Sequence, residues 1–575
     1  PDADDIALKK EGKKYTGTIK TDTSQNFIYL GFSADNKWDN NFNEGYYILL
    51  NDNDGKVKKG AYNNLAMFYQ FMGGQVGVER NNEKAMASME KEMELYPKDR
   101  KTWLPQYMRL ASNVKKDQAP AMIQKEIEAL LREGLKTEED YAAVEALYDV
   151  AKLAEQKKWI ASIKKEKFPN GKWQINEALE QFYREQDPSK KETLLAQIVN
   201  KIETNPDWKH LQPNIANYKK QLPFAYLRKK DWEGLKSYLA KNPIKDEAEM
   251  GYMYNEIAWE LQKTSSDLNF AEEVARKATE NAKKQITHPT TKKPSYLTPK
   301  QWEKERKFTY AQFADTYAMV LYRMGQYKKG FSYIQDAIKI GERKNTNHNN
   351  TYALLAEKVL PEKQYKKEIE EFFKNNTATT EMKEGLKRLY TKEKGSEAGF
   401  DEYITALQKE SYVKMMEELR KSMLNETAPS FALLDLNGNK VSLSDLKGKV
   451  IVVDFWATWC GPCIASFPGM QKMVSKYKEN PDVQFIFIDT WEQGDNKKKN
   501  AADFIEKNKY NFQVLLDEDS KVIEQYKVEG IPTKFVIDKN GMIRFKSIGF
   551  DGSDDKLMSE LTAMIDLATN STTKT

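Results

Sequence analysis

The sequence is short of cysteine, of histidine and of long apolar runs, and each shortage excludes a class of function. Its 575 residues contain 2 Cys and 3 His, too few ligands for an ordinary zinc site, so we expect no metal and no cofactor. The longest uncharged stretch, Phe455–Gln471, contains two prolines and cannot form a membrane-spanning helix. Lys and Arg total 91 against 86 Asp and Glu, and a net charge of +5 over this length gives no support for binding nucleic acid.

The length of the chain predicts several domains, because a single hydrophobic core stops growing near about 250–300 residues. Residues 1–62 carry short alternating runs that begin at Tyr15, Phe27 and Tyr46, and the turn cluster Asn51–Gly55 follows them. We predict a small β-sandwich for this segment. We find no constellation of chemically active residues in it.

Residues 63–424 have the texture of helices, with apolar residues recurring at intervals of three and four. One hairpin has Gly325 in its turn and small residues where two helices need close approach, at Ala318, Gly330 and Ala337. These offsets resemble a tetratricopeptide repeat. A similar unit precedes it, followed by a loop that we predict over Ile286–Lys307. The segment is therefore predicted to be an α-solenoid, whose small residues either serve helix packing alone or also build a partner-binding face.

The amino-acid composition changes at residues 425–575, where runs of β-branched and aromatic residues replace the helical pattern. Such runs begin at Val450, Val483, Phe512 and Phe535, and helical stretches separate them. Strands that alternate with helices indicate a largely parallel sheet covered on both faces. We therefore predict an α/β domain for this last part of the chain.

The two cysteines form the motif Cys460-Gly461-Pro462-Cys463, placed after an apolar strand and before a helix that starts near Ile464. A sulfur at a helix N-terminus is stabilised as a thiolate by the helix dipole and free backbone N–H groups. Cys460 is therefore the predicted nucleophile, and Cys463 the resolving thiol that attacks the mixed disulfide. A zinc site needs more ligands, and a purely structural disulfide across so short a loop would constrain the unfolded chain little.

Six further residues complete the predicted site. Asp454 lies in the apolar strand six residues before Cys460, where it could move a proton to and from the Cys463 thiol; alternatively it points to solvent. Pro532 could form a cis bond that brings the Ile531 backbone beside the thiols to pair with an extended substrate; alternatively it is an ordinary trans proline. Trp459 could offer an apolar surface to the substrate, as could Gly461 and Pro462 between the cysteines. Alternatively the tryptophan packs in the core, an interpretation that suits Trp456 better.

The run Val453–Cys463 and the segment Gly530-Ile531-Pro532-Thr533 are similar to the thioredoxin family, and the lead-in from Ala428 resembles its TlpA/ResA-like branch. The resemblance covers residues 426–575. It implies a thioredoxin fold and thiol–disulfide oxidoreductase activity, with Cys460, Cys463, Asp454 and Pro532 in the roles given above. The order of the three segments resembles large envelope proteins of Bacteroides-type bacteria. This implies a periplasmic or cell-envelope location after removal of a signal peptide, and a membrane thiol carrier as electron donor.

Our main hypothesis is a reductase of protein disulfides whose helical repeats recruit a protein partner. The Gly461-Pro462 pair resembles that of reducing thioredoxins, although an oxidase or isomerase could carry the same residues. The alternative from another class is a binding scaffold whose thioredoxin domain serves recognition alone. Peroxidase activity is not expected, because the residues before Cys460 lack the proline-containing pattern of peroxiredoxins.

Overall fold

The computed structural model describes residues 3–34, 37–242, 247–492, 494, 496–550, 552 and 554–570. The chain divides into two compact units, which we call the N-terminal unit (Ile6–Asn242) and the C-terminal unit (Pro1–Asp5 with Pro243–Thr575). Within the described ranges no helix is both long enough and apolar enough to cross a membrane. The domain boundaries predicted after residues 62 and 424 stay predictions.

The N-terminal unit opens with short strands: β1 (Lys9–Glu11), β2 (Lys14–Thr16), β3 (Phe27–Leu30), β4 (Phe32–Ala34), β5 (Lys37–Asp39) and β6 (Tyr46–Leu49). They pair as three separate two-stranded ribbons, β1 with β2, β3 with β6 and β4 with β5. The predicted strands are thus present, but in the described residues they do not form the two packed sheets of a sandwich. The physical reason is that Phe27, Tyr29 and Leu49 pack against the core of the following helices instead of a second sheet.

Helices make up the rest of the N-terminal unit: α1 (Ala61–Met67), α2 (Asn82–Leu95), α3 (Arg100–Val114), α4 (Ala119–Glu133), α5 (Glu138–Val150), α6 (Ala154–Lys167), α7 (Trp173–Arg184), α8 (Pro188–Thr204), α9 (Ile215–Lys219), α10 (Gln221–Lys229) and α11 (Trp232–Lys241). Capping residues explain several of the starts. Thr137 forms a reciprocal capping box with Asp140 at the start of α5. Asp187 caps α8, whose first residue is the proline that a first turn tolerates.

The C-terminal unit continues the helical series: α12 (Glu247–Thr264), α13 (Leu268–Thr287), α14 (Pro299–Arg323), α15 (Tyr327–Ile340), α16 (Thr346–Val359), α17 (Glu362–Lys374), α18 (Thr380–Lys394) and α19 (Phe400–Ser422). The helical hairpin predicted around Gly325 is present as α14 and α15. A Cβ on Gly330 would lie 3.1 Å from the Ala318 carbonyl oxygen, so a small residue is needed there. The connection predicted over Ile286–Lys307 is shorter, because the Thr298 capping box and Pro299 start α14 early.

An α/β domain ends the chain. Its elements are β7 (Glu426–Thr427), β8 (Ala432–Asp435), β9 (Lys440–Ser442), β10 (Val450–Trp456), α20 (Gly461–Lys476), β11 (Val483–Thr490), α21 (Lys497–Asn508), β12 (Val514–Asp517), α22 (Lys521–Gln525), β13 (Thr533–Ile537), β14 (Met542–Ile548) and α23 (Asp554–Thr569). The strands form one eight-stranded sheet in the order β7-β14-β13-β10-β11-β12-β8-β9. β10, β11 and β12 run parallel, whereas β13 is antiparallel to β10, so the predicted sheet is mixed.

The sheet has an apolar core on each face, and the cysteines belong to one of them. Val452 and Trp456 of β10 pack on the face covered by α20 and α23, in the same cluster as Cys460 and Cys463. The alternate residues of β10 pack in the second cluster, on the opposite face. Asp454 lies between Val452 and Trp456 on the strand, and its side chain therefore points to the face that holds the cysteines.

Candidate active site

The cysteine pair lies at the junction between β10 and α20. Cys460 is the N-cap of α20, and Gly461 and Pro462 occupy the first helical positions. The sulfurs of Cys460 and Cys463 are bonded to each other, with their Cα atoms 5.3 Å apart. The backbone N–H of Cys463 also donates to Cys460 Sγ at 3.2 Å. A sulfur in this position accepts one of the N–H groups that a helix start leaves unpaired.

The surroundings of the pair are apolar and open on one side. Cys460 is 3% exposed and Cys463 is fully buried, so the first sulfur is the one nearer to solvent. Gly461 and Pro462 are exposed beside it. The indole N–H of Trp459, which is exposed, donates to the Trp491 carbonyl oxygen at 3.0 Å, and this bond fixes the ring at the edge of the site.

The predicted cis bond between Ile531 and Pro532 is present. Pro532 is buried, and its carbonyl oxygen accepts a bond from the Gly549 N–H at 2.8 Å. Ile531 is half-buried and packs against the cluster that contains both cysteines. The structure thus brings the cysteines and the Gly530–Thr533 segment to the same core, and the roles of these residues remain proposals.

Asp454 is fully buried, which removes the alternative that it points to solvent. It lies opposite Lys534 in the antiparallel register of β10 and β13. Lys534 Nζ lies 3.3 Å from Asp454 Oδ1, and both side chains are only 1% exposed. Burial raises the pKa of Asp454 above its ordinary value, and the ammonium group of Lys534 acts in the opposite direction.

Two buried acids, Asp489 and Glu492, lie beside the turn that leads to Cys460. The carboxylate of Glu492 accepts bonds from the backbone N–H and the hydroxyl of Thr458, the latter at 3.0 Å. Asp489, at the end of β11, lies opposite Trp456 of β10. Burial, reinforced by the neighbouring Glu492 carboxylate, raises the pKa of Asp489 to about 9. Asp489 therefore carries a proton at neutral pH. The bonds from Thr458 to Glu492 hold the turn before Cys460 in place.

Sequence reasoning did not find Lys534, Asp489 or Glu492. Lys534 could have been noticed as a lysine inside an apolar run that pairs with the strand of Asp454. Glu492 follows a strand parallel to β10, and the carboxyl ends of parallel strands lie at the same edge of a sheet. No group of three or more His, Cys, Asp or Glu residues in the described ranges is arranged to hold a metal ion.

Comparisons with known proteins agree with this geometry. Residues 424–546 match the AhpC/TSA family. The ResA thiol-disulfide oxidoreductase of Bacillus anthracis is 37% identical over 138 residues, which are 24% of this chain and 77% of that protein. The chain belongs to the ResA family of thiol-disulfide oxidoreductases. The ResA of Bacillus subtilis (strain 168) is 37% identical over 116 residues, which are 20% of this chain and 62% of that protein.

The ResA-like part is the C-terminal α/β domain, which has the thioredoxin fold predicted from the sequence. The predicted family and enzyme class are confirmed. Among solved structures, the thioredoxin domain of a thiol-disulfide oxidoreductase from Bacteroides vulgatus is 28% identical. The match covers 24% of this chain and 96% of the Bacteroides vulgatus chain, with a TM-score of 0.22.

Proposed function

We propose that this protein reduces disulfide bonds of other proteins in the cell envelope, and that its helical repeats recruit a partner. The observation that carries the chemistry is the Cys460 sulfur. It caps α20, accepts the Cys463 N–H and is bonded to the Cys463 sulfur. A helix start favours negative charge, so the same position favours a thiolate at Cys460 when the pair is reduced.

In the proposed reaction, the Cys460 thiolate attacks one sulfur of a substrate disulfide and forms a mixed disulfide. The other substrate sulfur leaves as a thiolate. Cys463 then loses its proton to Asp454 and attacks Cys460, which releases the second substrate thiolate and leaves the Cys460–Cys463 disulfide. Two electrons pass from the cysteine pair to the substrate, and an external dithiol must restore the pair.

The substrate-contact surface in this proposal consists of Trp459, Gly461, Pro462 and Ile531. The first three are exposed around the nucleophile, and Ile531 is half-buried beside them. Trp459 offers an apolar surface, and the Ile531 backbone precedes the cis proline at the edge of the site. An extended peptide segment could pair with that backbone, a mode in which the main chain supplies affinity and neighbouring pockets supply specificity.

Contacts between the helices of the C-terminal unit and the thioredoxin domain support the proposal that these helices recruit a partner. Asp555, in the first turn of α23, accepts bonds from the backbone N–H of Thr380 at 2.8 Å and from its hydroxyl at 2.5 Å. Tyr412 of α19 donates to Asp566 of α23 at 3.1 Å. Apolar residues of α19, including Met416, pack against the core that contains the cysteines. A partner bound to these helices would therefore be held at a fixed distance from Cys460.

The proposed setting is the periplasm or cell envelope, with a membrane thiol carrier as the dithiol donor. This part of the proposal depends on the resemblance to envelope proteins of the thioredoxin family. A disulfide oxidase or isomerase would use the same residues with electrons flowing differently. Equilibration with glutathione measures the reduction potential of the cysteine pair and separates these cases. We expect a reduction potential of about −270 mV, and a value of about −120 mV would overturn the reductase direction.

Insulin reduction with dithiothreitol tests the enzymatic proposal. We expect the wild-type protein to accelerate insulin precipitation and the Cys460→Ser variant to match the rate without protein. Equal rates for both proteins would instead favour a scaffold in which the thioredoxin domain only recognises its partner. In a native extract, the Cys463→Ala variant should retain mixed disulfides at Cys460, and recovery of none would count against a protein substrate.

A further inference from the structure

The loop between β14 and α23 runs from the cysteine site to the helices of the C-terminal unit. Its first residue, Gly549, donates its backbone N–H to the Pro532 carbonyl oxygen at 2.8 Å. The next residue, Phe550, is half-buried and packs against the core that contains both cysteines. This end of the loop therefore borders the same site as Ile531 and Pro532.

The other end of the loop meets the start of α16. A Cβ on Gly552 would lie 2.7 Å from Asn347 Nδ2, which is too close for two packed atoms, so only a glycine lets the two segments approach. Gly552 also has a φ of +90°, a conformation that glycine adopts without a steric penalty. The contact brings a side chain of α16 to the loop that borders the cysteine site.

The first turn of α23, which follows this loop, is held from two sides. Asp555 accepts the backbone N–H of Thr380, the first residue of α18, at 2.8 Å. Asp554 pairs with Lys472 of α20 at 3.1 Å. The helix that begins at the cysteine motif and the preceding helices of the unit therefore contact the same turn, and these contacts set the position of α16 relative to the site.

Asn347 keeps its side-chain amide available to a ligand. The side chain is exposed at the second position of α16, and it has no hydrogen-bond partner in the part of the chain that the structure describes. Its neighbours are engaged, because Asn345 accepts the His348 N–H and Asn350 accepts the Thr379 hydroxyl at 2.8 Å. The amide of Asn347 thus offers both a free donor and a free acceptor.

The two ends of the loop are within reach of one short peptide segment. Gly552 follows Gly549 by three positions, so their Cα atoms are at most about 11 Å apart. An extended segment rises about 3.3 Å per residue. A substrate segment that pairs with the Ile531 backbone therefore needs about three or four further residues to reach Asn347.

We propose that Asn347 is a substrate-contact residue of the thiol site, and that its amide binds the main chain of the substrate segment that carries the disulfide. This inference rests on the proposed function, since it requires a protein disulfide as the substrate. The substrate class that fits is a disulfide in an extended segment, because the main-chain groups of helices and sheets are already paired. The contact is a hydrogen bond and adds no step to the exchange between the sulfurs.

Insulin and 5,5′-dithiobis(2-nitrobenzoate) distinguish a substrate contact from an effect on the cysteines. Insulin offers a main chain, whereas the small aromatic disulfide contains no peptide group. In Asn347→Ala the KM for insulin should rise by about threefold to tenfold, as expected for the loss of one hydrogen bond, and kcat should stay unchanged. The rate of reaction of the reduced protein with the small disulfide should also stay unchanged.

Two further variants sharpen this test. Asn347→Gln keeps an amide and should keep a KM for insulin closer to that of the wild type than to that of Asn347→Ala. The matched control is Asn500→Ala, which removes another exposed asparagine from the first turn of a helix, α21, and should leave the KM unchanged.

A KM for insulin that is the same in Asn347→Ala and in the wild type would overturn the inference and leave the proposed function intact. An equal loss with insulin and with the small disulfide would also overturn it, because the substitution would then act on the cysteines. Failure of the wild-type protein to reduce insulin would instead overturn the proposed function.

Discussion

The helical segment and the thioredoxin domain of the C-terminal unit each bury an aspartate, but they surround it differently. Asp315 of α14 is bound by the Thr351 hydroxyl, and burial raises its pKa to about 7. Asp454 of β10 lies 3.3 Å from the Lys534 ammonium, on the sheet face that carries the cysteines. Burial raises the pKa of both acids, and for Asp454 the neighbouring ammonium group opposes that shift.

The comparison therefore separates an acid buried without a cation from an acid buried beside one. The core around α14 is assembled from small and aromatic residues such as Ala314, Tyr310 and Ala318, and it contains neither cysteine. A proton held by Asp315 affects only the stability of that core. We propose that a proton on Asp454 is instead exchanged with the Cys463 thiol.

The largest effect is expected from Asp315→Asn, measured as stability against pH. The ordinary pKa of an aspartate is 3.8, and Asp315 in the folded protein titrates at about 7. Between these values the folded state holds a proton that the unfolded state releases, so wild-type stability falls as pH rises from about 4 to about 7, by on the order of 4 kcal/mol. The asparagine variant should lose this slope and be the more stable protein at pH 8.

Thermal unfolding of both proteins at pH 4.5, 6 and 8 checks this prediction. The difference between the two melting temperatures should grow with pH. Parallel curves would mean that Asp315 is ionised in the folded state, and the contrast between the two aspartates would then disappear.

A smaller effect is expected from Asp454→Asn on thiol exchange. A side chain that transfers a proton in the rate-limiting transition state contributes about a hundredfold or more, so the resolving step should slow by about that factor at pH 7. Asp315→Asn is the matched control, since it removes an equally buried carboxyl far from any cysteine in sequence and should leave the exchange rate unchanged. If both variants slowed exchange equally, the slowing would not be specific to Asp454, and its proposed role would be contradicted.

The smallest effect is expected from Trp459→Ala. Trp459 is 52% exposed beside Cys460, and its loss should lower kcat/KM for insulin by about tenfold while leaving exchange with a small aromatic disulfide unchanged. Trp159→Ala is the control, because Trp159 is 54% exposed and lies on α6 of the N-terminal unit. Equal losses for both disulfides would place Trp459 in the chemistry of the cysteines and not in substrate contact.

The site could be predicted where its residues follow one another in the chain, and not where pairing brings distant residues together. The Cys460-Gly461-Pro462-Cys463 motif sits between a strand and a helix, so local sequence was enough to place it. Lys534 is 80 positions from Asp454, as 534 less 454, and only the antiparallel register of β10 and β13 joins them. Register depends on the whole sheet, which local patterns do not specify.

The fold, like the site, could be predicted only where local sequence patterns determine it. Helical hairpins and the alternating α/β domain were predictable from local periodicity and glycine turns. The N-terminal sandwich was not, because alternation in a strand such as β3 shows that one face is buried but not what covers it. Phe27 and Tyr29 are covered by helical residues more than thirty positions later, including Phe68.

The most direct test of the central claim is the ionisation of Cys460 in the reduced Cys463→Ala variant. The rate of alkylation by iodoacetamide, measured against pH, reports the fraction of thiolate at that sulfur. Because Cys460 caps α20, we predict a midpoint below about 7.5. A midpoint at or above about 8.5, the value of a free cysteine, would contradict the account.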